Sequence, residues 1–321
     1  MAINEIEMLK ECVRPVMDSD KDLPVFSHSK LETYINCPYQ YNLKYEQKKT
    51  TSDTTIALQC GSLAHKCLEL KGQMIQSGQP IDYMYLFNIL DKGYPDEKLA
   101  GKKEIMTLYW DTFNEKDSED RTYTDKFNIF EKVLKSEMND MDGWEPYLFE
   151  HEFEFVYKDR IRIMGFIDRI DKKGDEYRLI DYKTSKKVYD DSKLKTSAQF
   201  SIYNLALWNE FGVLASDNIY RFIFIDDEQH ALSKGWLKRY IDKLDKTLDA
   251  IDADKESGLY RPKGTPLCFW CLYGDNPTAK QYKKECDYRS NWTPANKDFS
   301  VNKEWNPELE KRTKKSFAFD W

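Results

Sequence analysis

Two acidic residues and one lysine form the part of the sequence best suited to chemistry. Asp168 follows the apolar run 165–167, and Asp181 follows a second apolar run, two residues before Lys183. Both runs predict buried β-strands, so neighbouring strands could bring the two carboxylates together. Mg²⁺ and similar hard cations are bound by a few carboxylate oxygens and waters. Residues two apart on a strand share a face, which would place the Lys183 ammonium beside a water or a phosphate at such a cation.

Three further residues support this interpretation, although each has an ordinary alternative. An Asp-x-Lys triplet is by itself very often a solvated, salt-bridged strand edge. Gln199 and Tyr203 lie one turn apart on a predicted helix and could direct an amide and a phenol towards a phosphate or Lys183. His65, on an upstream helix, could complete a metal shell, whereas a lone histidine there is more often a packed or exposed bystander. The group as a whole favours metal-dependent chemistry on a phosphate.

The elements that must position these residues follow from periodicity and turn signals. Ser27 or Ser29 can cap a first helix, which Pro38 interrupts, and Gly212 can close a later one. Lys158-Asp159 can turn one strand into the next. The predicted elements, in chain order, are a helix over 27–41, a helix over 61–78, helical fragments at 83–90 and 127–141, strands over 146–157, 160–170 and 177–182, a helix over 197–211, a strand over 219–225 and a helix over 236–254. This order predicts an α/β fold with a mixed central sheet flanked by helices.

The charge balance excludes one kind of nucleic-acid binding. The 321 residues include 49 Lys and Arg against 56 Asp and Glu, a net charge of −7, so global charge would not hold the chain on a polyanion. The loop 183–195 is locally basic, although such runs are often only solvated surface. Tyr182, Tyr189 and Tyr203 lie in or near it and could stack on unpaired bases. A single DNA strand is therefore a candidate ligand of this loop.

The seven cysteines argue against a disulfide framework. Their number is odd, the first twenty residues lack the pattern of a secretory leader, and no apolar stretch is long enough to span a membrane, so we expect a cytoplasmic protein with reduced thiols. Cys268 and Cys271 form a C-x-x-C, with Cys286 downstream and Cys37 far upstream. Four thiolates could bind Zn²⁺ or a [4Fe–4S] cluster, or these could be ordinary cysteines, as Cys67 on an apolar helix stripe is expected to be.

Five motifs, taken together and in order, resemble those of the RecB-like nucleases of the PD-(D/E)xK superfamily. They span roughly residues 26–290 and are Ser27-His28-Ser29-Lys30-Leu31 through Cys37-Pro38, Gly61-Ser62-Leu63-Ala64-His65, Gly165-Phe166-Ile167-Asp168-Arg169-Ile170-Asp171, Ile180-Asp181-Tyr182-Lys183-Thr184, and Gln199 with Tyr203. The chain is similar to the nuclease domains of RecB and AddB and to the CRISPR-associated RecB-like exonucleases. Five ordered motifs are far more specific than any one of them.

The resemblance implies a restriction-endonuclease-like core with a helical insertion and a cysteine-bearing C-terminal tail. The expected boundaries are an N-terminal appendage at 1–25, a nuclease domain at 26–290 with the insertion at about 80–145 and a cluster-binding segment at about 260–290, and a tail at 291–321.

The resemblance also implies roles for individual residues. His65, Asp168, Asp181 and the Tyr182 carbonyl would bind Mg²⁺ or Mn²⁺, Lys183 would serve the attacking water, Gln199 and Tyr203 would support the site, and Asp171 would be structural or contact the strand. Cys37, Cys268, Cys271 and Cys286 would bind a structural [4Fe–4S] cluster, with zinc as the alternative. One departure is the gap of fourteen residues, 272–285, which is longer than in the resembled nucleases.

The expected function is that of a metal-dependent DNA exonuclease acting at duplex ends or on single strands in recombination, replication or DNA degradation. A CRISPR-adaptation-type nuclease would differ in its partner rather than in its chemistry. A nuclease-like scaffold that binds DNA or protein without cutting is the alternative from another class. Since no P-loop or helicase motif occurs in the sequence, a helicase or recombination protein is an expected partner.

Overall fold

The computed structural model describes residues 3–50, 56–86, 131–135, 143–185, 187–232, 235–274 and 281–288. The chain divides into two compact units, each built from two separate stretches. Unit 1 comprises residues 1–25 and 55–237, and unit 2 comprises residues 26–54 and 238–321.

Groups of helices and groups of strands follow one another along the described residues. The helices are α1 (Ile3–Cys12), α2 (His28–Asn36), α3 (Pro38–Tyr41), α4 (Ile56–Gln76), α5 (Asp191–Lys195), α6 (Ala198–Phe211) and α7 (Trp236–Ser257), with a π-helix at Asn42–Glu46 and 3₁₀ turns at Asp18–Asp20 and Pro266–Trp270. The strands are β1 (Val13–Arg14), β2 (Val25–Phe26), β3 (Glu145–Tyr157), β4 (Ile161–Lys173), β5 (Glu176–Lys183), β6 (Asp217–Phe222) and β7 (Asp227–His230). Residues 83–86 and 131–135 are also helical.

Unit 1 is organised around a mostly antiparallel sheet with the strand order β1-β3-β4-β5-β6-β7. The pairs β1–β3, β3–β4, β4–β5 and β6–β7 are antiparallel, and β5–β6 is parallel. Helix α6 lies in the crossover between the parallel strands, which is the connection that parallel pairing requires. The mixed α/β class predicted from the sequence is confirmed.

Tight turns connect the first three long strands. Lys158 and Asp159 have φ values of 48° and 52°, a left-handed conformation that suits the tight three-residue turn, 158–160, between β3 and β4. Gly174, with φ 59°, lies in the turn between β4 and β5. These turns confirm the two breaks predicted from the sequence and bring β4, the strand of Asp168, beside β5, the strand of Asp181.

Two helices cover opposite faces of β5. Ile180 and Tyr182 belong to a buried cluster with Leu63 and Ala64 of α4. Asp181, which points to the other face, hydrogen-bonds to Gln199 of α6. Successive residues of a strand point to opposite sides, and both faces of β5 are buried, so each face needs to be covered.

Helix α6 begins and ends as the sequence predicts. The Ser197 hydroxyl accepts a hydrogen bond from the Phe200 amide at the N-cap. Gly212, with φ 69°, is the left-handed residue at the C-terminus, and its amide donates to the Trp208 carbonyl. These two caps fix the register of the helix, and therefore the positions of the side chains that it directs at β5.

Unit 2 collects segments that are far apart in sequence. Ser27 caps α2, as predicted, and Cys37 separates α2 from α3. The Tyr34 hydroxyl donates to Asp254 of α7 at 2.7 Å, and the Lys263 ammonium donates to the Ile35 carbonyl at 3.1 Å. These long-range contacts join α2 to the C-terminal part of the chain.

Some predicted segments fall partly or wholly outside the described residues. Most of the helical insertion at 80–145 and the whole tail at 291–321 are among them. Residues 1–25, assigned above to an appendage, contribute the edge strand β1. No helix in the described part of the chain is long and apolar enough to cross a membrane.

Candidate functional site

Asp168 connects three elements of unit 1. Its Oδ1 lies 3.3 Å from Nδ1 of His65 on α4. Its Oδ2 accepts a hydrogen bond of 2.7 Å from the Tyr182 amide on β5. Burial alone would lower the pKa of His65, but the Asp168 carboxylate outweighs it and raises that pKa to about 9. The structure thus brings His65, Asp168 and the backbone of Tyr182 together.

Asp181 and Lys183 meet the helix α6 through a connected hydrogen-bond network. Gln199 Nε2 donates to Asp181 Oδ1 at 2.6 Å and lies 2.9 Å from the Tyr203 hydroxyl, while Gln199 Oε1 accepts from the Lys183 ammonium at 3.0 Å. The Tyr203 hydroxyl donates to Asp181 Oδ1 at 3.3 Å. Asp181 and Lys183 also form an ion pair. All four residues predicted from sequence spacing therefore lie in one network.

The ion pair has consequences for charge. Burial alone would lower the pKa of Lys183, but Asp181 outweighs it and raises that pKa above its usual range. Burial and the nearby Asp168 raise the pKa of Asp181, although Lys183 acts against them. Lys183 is therefore a stable cation that can donate hydrogen bonds and neutralise negative charge.

The second oxygen of Asp181 is compensated by the Lys183 ammonium. The residue is 1% exposed, and within the described part of the chain its Oδ2 accepts no hydrogen bond of normal geometry, although it faces the Lys183 ammonium. A buried carboxylate oxygen without a hydrogen bond is costly unless a cation compensates it. Since hard divalent cations prefer carboxylate oxygens, the donors present fit Mg²⁺ or Mn²⁺.

Glu150 of β3 is a carboxylate of this region that the sequence did not single out. Its ligand oxygen, one from Asp168 and a ring nitrogen of His65 all lie within 4.8 Å of one another. Burial and the Asp168 charge raise the pKa of Glu150 to about 7. Two negative charges at this separation repel by about 3.5 kcal/mol at an effective dielectric constant of about 20, before solvent screening. A bound cation would remove that repulsion.

The regular alternation of side chains between the two sides of the sheet is interrupted in β3 at Glu150. In a regular strand, Phe149 and Phe153 would point to the same side. Instead the Phe149 ring packs on α4, where it meets Gly72, and the Phe153 ring lies 5.9 Å from Tyr203 on α6. Glu150 itself has φ 44°, an uncommon conformation for a residue with a side chain. The sequence alternates without interruption here, so no signal in it reveals the change.

In strand β4, the side of the sheet that the side chains face also changes, at the residue opposite Glu150. Arg169 lies over the Phe149 ring at 6.0 Å, whereas Gly165 meets the Phe153 ring on the other side of the sheet. Phe149 pairs with Arg169, and His151 pairs with Ile167, so the two strands keep a common register through the irregularity. Asp168 therefore lies opposite Glu150 at the point where both strands turn over.

Asp171 has a structural environment. It is fully buried and accepts hydrogen bonds from Arg169 and Arg178, which are themselves buried. Because the Asp171 carboxylate binds both guanidinium groups, it ties β4 to β5, the two strands that carry Asp168 and Asp181.

Two of the tyrosines expected to stack on bases are not available for it. Tyr182 is 2% exposed and Tyr203 is 5% exposed, because each is packed between the sheet and a covering helix. Tyr189 packs edge-on against Tyr220 and Phe222 at 4.9 and 5.2 Å. The sequence interpretation is therefore wrong for Tyr182 and Tyr203, whose rings belong to the core beside the site, whereas Tyr189 is only half-buried.

The basic loop divides into residues with different partners. Lys193 lies over the Tyr189 ring at 3.6 Å, and Lys195 forms an ion pair with Asp191 at 3.5 Å. Lys187 is exposed, and Lys186 lies outside the described residues. Surface lysines at this loop can still attract a phosphate backbone.

Unit 2 contains the second candidate site. Cys37, Cys268, Cys271 and Cys286 line one cavity, with Tyr39, Leu43, Pro262 and Tyr273 among its other lining residues. No disulfide joins any of the six cysteines that the structure describes, a set that includes these four. The structure therefore brings together the four cysteines that the sequence selected.

The long gap between the last two cysteines does not separate them. The Cys286 amide donates to the Tyr273 carbonyl at 2.8 Å, and the Lys284 amide donates to the Gly274 carbonyl at 2.9 Å. These two bonds bring residues 281–288 back beside residues 271–274. Cys286 thus lies next to Cys271, whatever path the residues between them take.

Burial favours the protonated form of three of these thiols. Burial raises the pKa of Cys37, and it raises those of Cys271 and Cys286 to about 11 and about 12. Backbone amides of Lys263 and Gln40 hydrogen-bond to Cys37 and act against burial. Amides directed at sulfur suit a thiolate bound to a metal, and thiolates are the ligands of both zinc and iron–sulfur sites.

Comparisons with known proteins agree with the geometry of unit 1. The family model of the PD-(D/E)XK nuclease superfamily matches residues 25–275. The chain is also 26% identical, over 230 residues, to a subunit of the ATP-dependent helicase/deoxyribonuclease of Streptococcus mutans serotype c. The alignment covers 69% of this chain and 20% of that protein, so the chain spans only about one fifth of its relative's length.

Proposed function

Because the chain belongs to the PD-(D/E)XK nuclease superfamily, we propose that it is a metal-dependent deoxyribonuclease acting at DNA ends or on single strands. The observation that carries this proposal is the buried Asp181 carboxylate, whose two oxygens engage Lys183 and Gln199 and which lies near a second acid, Asp168. A solvated strand edge would not need such a network.

The proposed cation ligands are His65, Asp168, Asp181 and the Tyr182 carbonyl. The cation, when bound, would neutralise phosphate charge and make water a better nucleophile. Asp168 binds the Tyr182 amide, so its carboxylate and the next strand hold each other in place. His65 must lose its ring proton to bind a cation.

Lys183 serves this reaction as a hydrogen-bond donor and positive charge. Its raised pKa keeps it protonated at neutral pH, so we assign it to stabilising charge on the scissile phosphate and orienting the attacking water. Gln199 accepts from Lys183 and donates to Asp181, which fixes both groups relative to each other. Tyr203 supports the same carboxylate from α6.

The preference for ends or single strands, and the partner, extend the proposal beyond the site. The relative's name joins a helicase to a deoxyribonuclease, and the aligned part is about one fifth of it. We therefore propose that a helicase or recombination protein supplies unwound DNA, in recombination, replication or DNA degradation. A DNA substrate accords with the cytoplasmic location predicted from the sequence.

A cleavage assay with matched substrates tests the proposal. Linear duplex, linear single strands labelled at either end and circular single strands are incubated with Mg²⁺, Mn²⁺ or EDTA. We expect metal-dependent release of short products from linear DNA and intact circles. Cleavage of circles would contradict the preference for ends, and the label released first would give the polarity.

Variants connect cleavage to the site. We expect Asp181→Ala and Lys183→Ala to abolish cleavage, and Lys238→Ala, an exposed lysine paired with Asp242, to leave it unchanged. Cleavage retained in both site variants would overturn the proposal. DNA binding without cleavage under any divalent ion would favour the scaffold function instead.

We also propose that Cys37, Cys268, Cys271 and Cys286 bind a [4Fe–4S] cluster that has a structural role. Support comes from their position around one cavity, formed by segments at both ends of unit 2. A cluster bound there would fasten α3 to the segments 266–274 and 281–288. Four thiolates suit zinc as well, so the metal must be determined directly.

Metal content of protein purified without air distinguishes the two metals. A brown protein with about four irons and matching labile sulfide is expected, and one zinc without iron would contradict the cluster. Cys271→Ser should lose the iron, whereas Cys67→Ala, a buried cysteine of α4, should keep it.

A further inference from the structure

Glu150 is the carboxylate that the five sequence motifs do not include. It lies on β3, opposite Asp168 of β4, and the three ligand atoms of His65, Glu150 and Asp168 lie within 4.8 Å of one another. No other group of three His, Cys, Asp or Glu side chains in the described residues is arranged in this way. Asp181, the other acid of the site, is not part of this trio.

We infer that Glu150 is a further ligand of the divalent cation, a role that rests on the cation site of the proposed function. Three observations support it. Glu150 is close to two of the proposed ligands, His65 and Asp168. Glu150 also lies across the strand pair from Asp168, at the point where both strands change the side that their side chains face. In the described part of the chain the Glu150 carboxylate has no hydrogen-bond or ion-pair partner.

The change of facing of both strands explains how Glu150 reaches this position. Phe149 packs on α4, and His151 bonds to Glu210 at the end of α6, so the chain turns over between them. Glu150 occupies the turning point with φ 44°. In an uninterrupted strand, Phe149 and His151 would share a face and Glu150 would point away from both.

A third carboxylate ligand would allow the cation to bind before the DNA does. Mg²⁺ sites of nucleotide and nucleic-acid enzymes commonly use one or two carboxylates and complete the shell with substrate phosphate. With Glu150, Asp168 and Asp181 the protein offers three negative charges, so the cation can be held before DNA arrives. The protein is therefore expected to bind one Mn²⁺ per site without DNA.

Mn²⁺ binding to the DNA-free, full-length protein tests the inference. The free-ion electron paramagnetic resonance signal gives the affinity without reference to cleavage. We expect Glu150→Gln to weaken Mn²⁺ binding by about tenfold or more, since ligand charge sets cation affinity. Glu152→Gln, an exposed glutamate two residues further along β3, should bind as tightly as the wild type.

A second variant protects the test against misfolding. Glu150→Gly adopts φ 44° without strain and lacks the carboxylate, so it should fold and show the same weakened binding. Wild-type affinity in folded Glu150→Gln or Glu150→Gly would overturn the inference. If the wild type itself binds no Mn²⁺ and cleaves nothing, the proposed function fails. If it binds and cleaves while the Glu150 variants match it, only this inference fails.

Discussion

Replacing Asp171 with asparagine should destabilise the protein strongly without weakening Mn²⁺ binding. Asp171 is fully buried and accepts hydrogen bonds from Arg169 and Arg178, two buried guanidinium groups. The amide keeps the shape of the carboxylate but removes the negative charge between two positive ones. It also directs an NH₂ group at N–H donors.

The size of the effect follows from burial. Removing one partner of a buried ion pair costs about 3–5 kcal/mol, because the remaining charge stays buried without compensation. In a chain of this size about 1 kcal/mol shifts the melting temperature by about 2 °C, so we expect a decrease of about 6–10 °C. Asp242→Asn breaks an exposed i,i+4 pair with Lys238 and should cost about 0.3–0.5 kcal/mol, or less than about 1 °C.

Thermal unfolding in EDTA, followed by circular dichroism, measures both variants without a contribution from bound cation. A decrease of less than about 2 °C for Asp171→Asn would refute the assignment of Asp171 as the buried counter-ion. Mn²⁺ binding then separates structure from ligation. A tenfold loss of affinity in folded Asp171→Asn would instead make Asp171 a ligand.

Two further predictions concern charge and packing. Mn²⁺ affinity should rise by about tenfold per pH unit towards pH 9, because His65, with a pKa of about 9, must lose its proton to bind the cation. Mn²⁺ titrations between pH 6.5 and 8.5 test this prediction. An affinity that does not change with pH would contradict it. In the cation-free protein, stability should change with pH in the opposite direction. The raised pKa of His65 stabilises the fold below about pH 6.5, and this contribution is lost as the pH rises through about 9. Melting curves in EDTA at several pH values should show this loss. Gly72→Ala should lower stability by about 1–3 kcal/mol, because its Cβ would lie 2.1 Å from the Phe149 ring, whereas Gly61→Ala on the same helix meets only the Thr184 hydroxyl at 3.3 Å and should be neutral or stabilising. Equal melting temperatures for the two alanine variants would show that Phe149 does not pack on α4.

Local chemistry explains the parts of the fold that could be predicted. Ser27 and Ser197 cap helices, and Gly212 closes one, because these residues satisfy backbone groups that helix ends leave open. The common face of Asp181 and Lys183 could also be predicted, because residues two apart on a strand point to the same side of the sheet. Such features depend on a few consecutive residues.

Features that depend on pairing between distant segments could not be predicted. Glu150 lies in an unbroken alternation of apolar and polar residues, and only its position opposite Asp168 shows that both strands turn over. The burial of Tyr182 and Tyr203 depends on which helix covers which face of the sheet. Backbone hydrogen bonds bring Cys286 beside Cys271, and the long spacing between these cysteines in the sequence does not reveal that they lie together.

The most direct test of the central claim is the single-turnover rate of DNA cleavage by Lys183→Ala, with Mn²⁺ and enzyme both in excess. Lys183 lies between Asp181 and Gln199, so the variant loses the positive charge but keeps the proposed cation ligands. The account predicts Mn²⁺ binding close to that of the wild type and a rate at least about 100-fold lower, the size expected when one charge-stabilising donor is removed. A rate within about threefold of the wild type, with Lys238→Ala as the control, would contradict it.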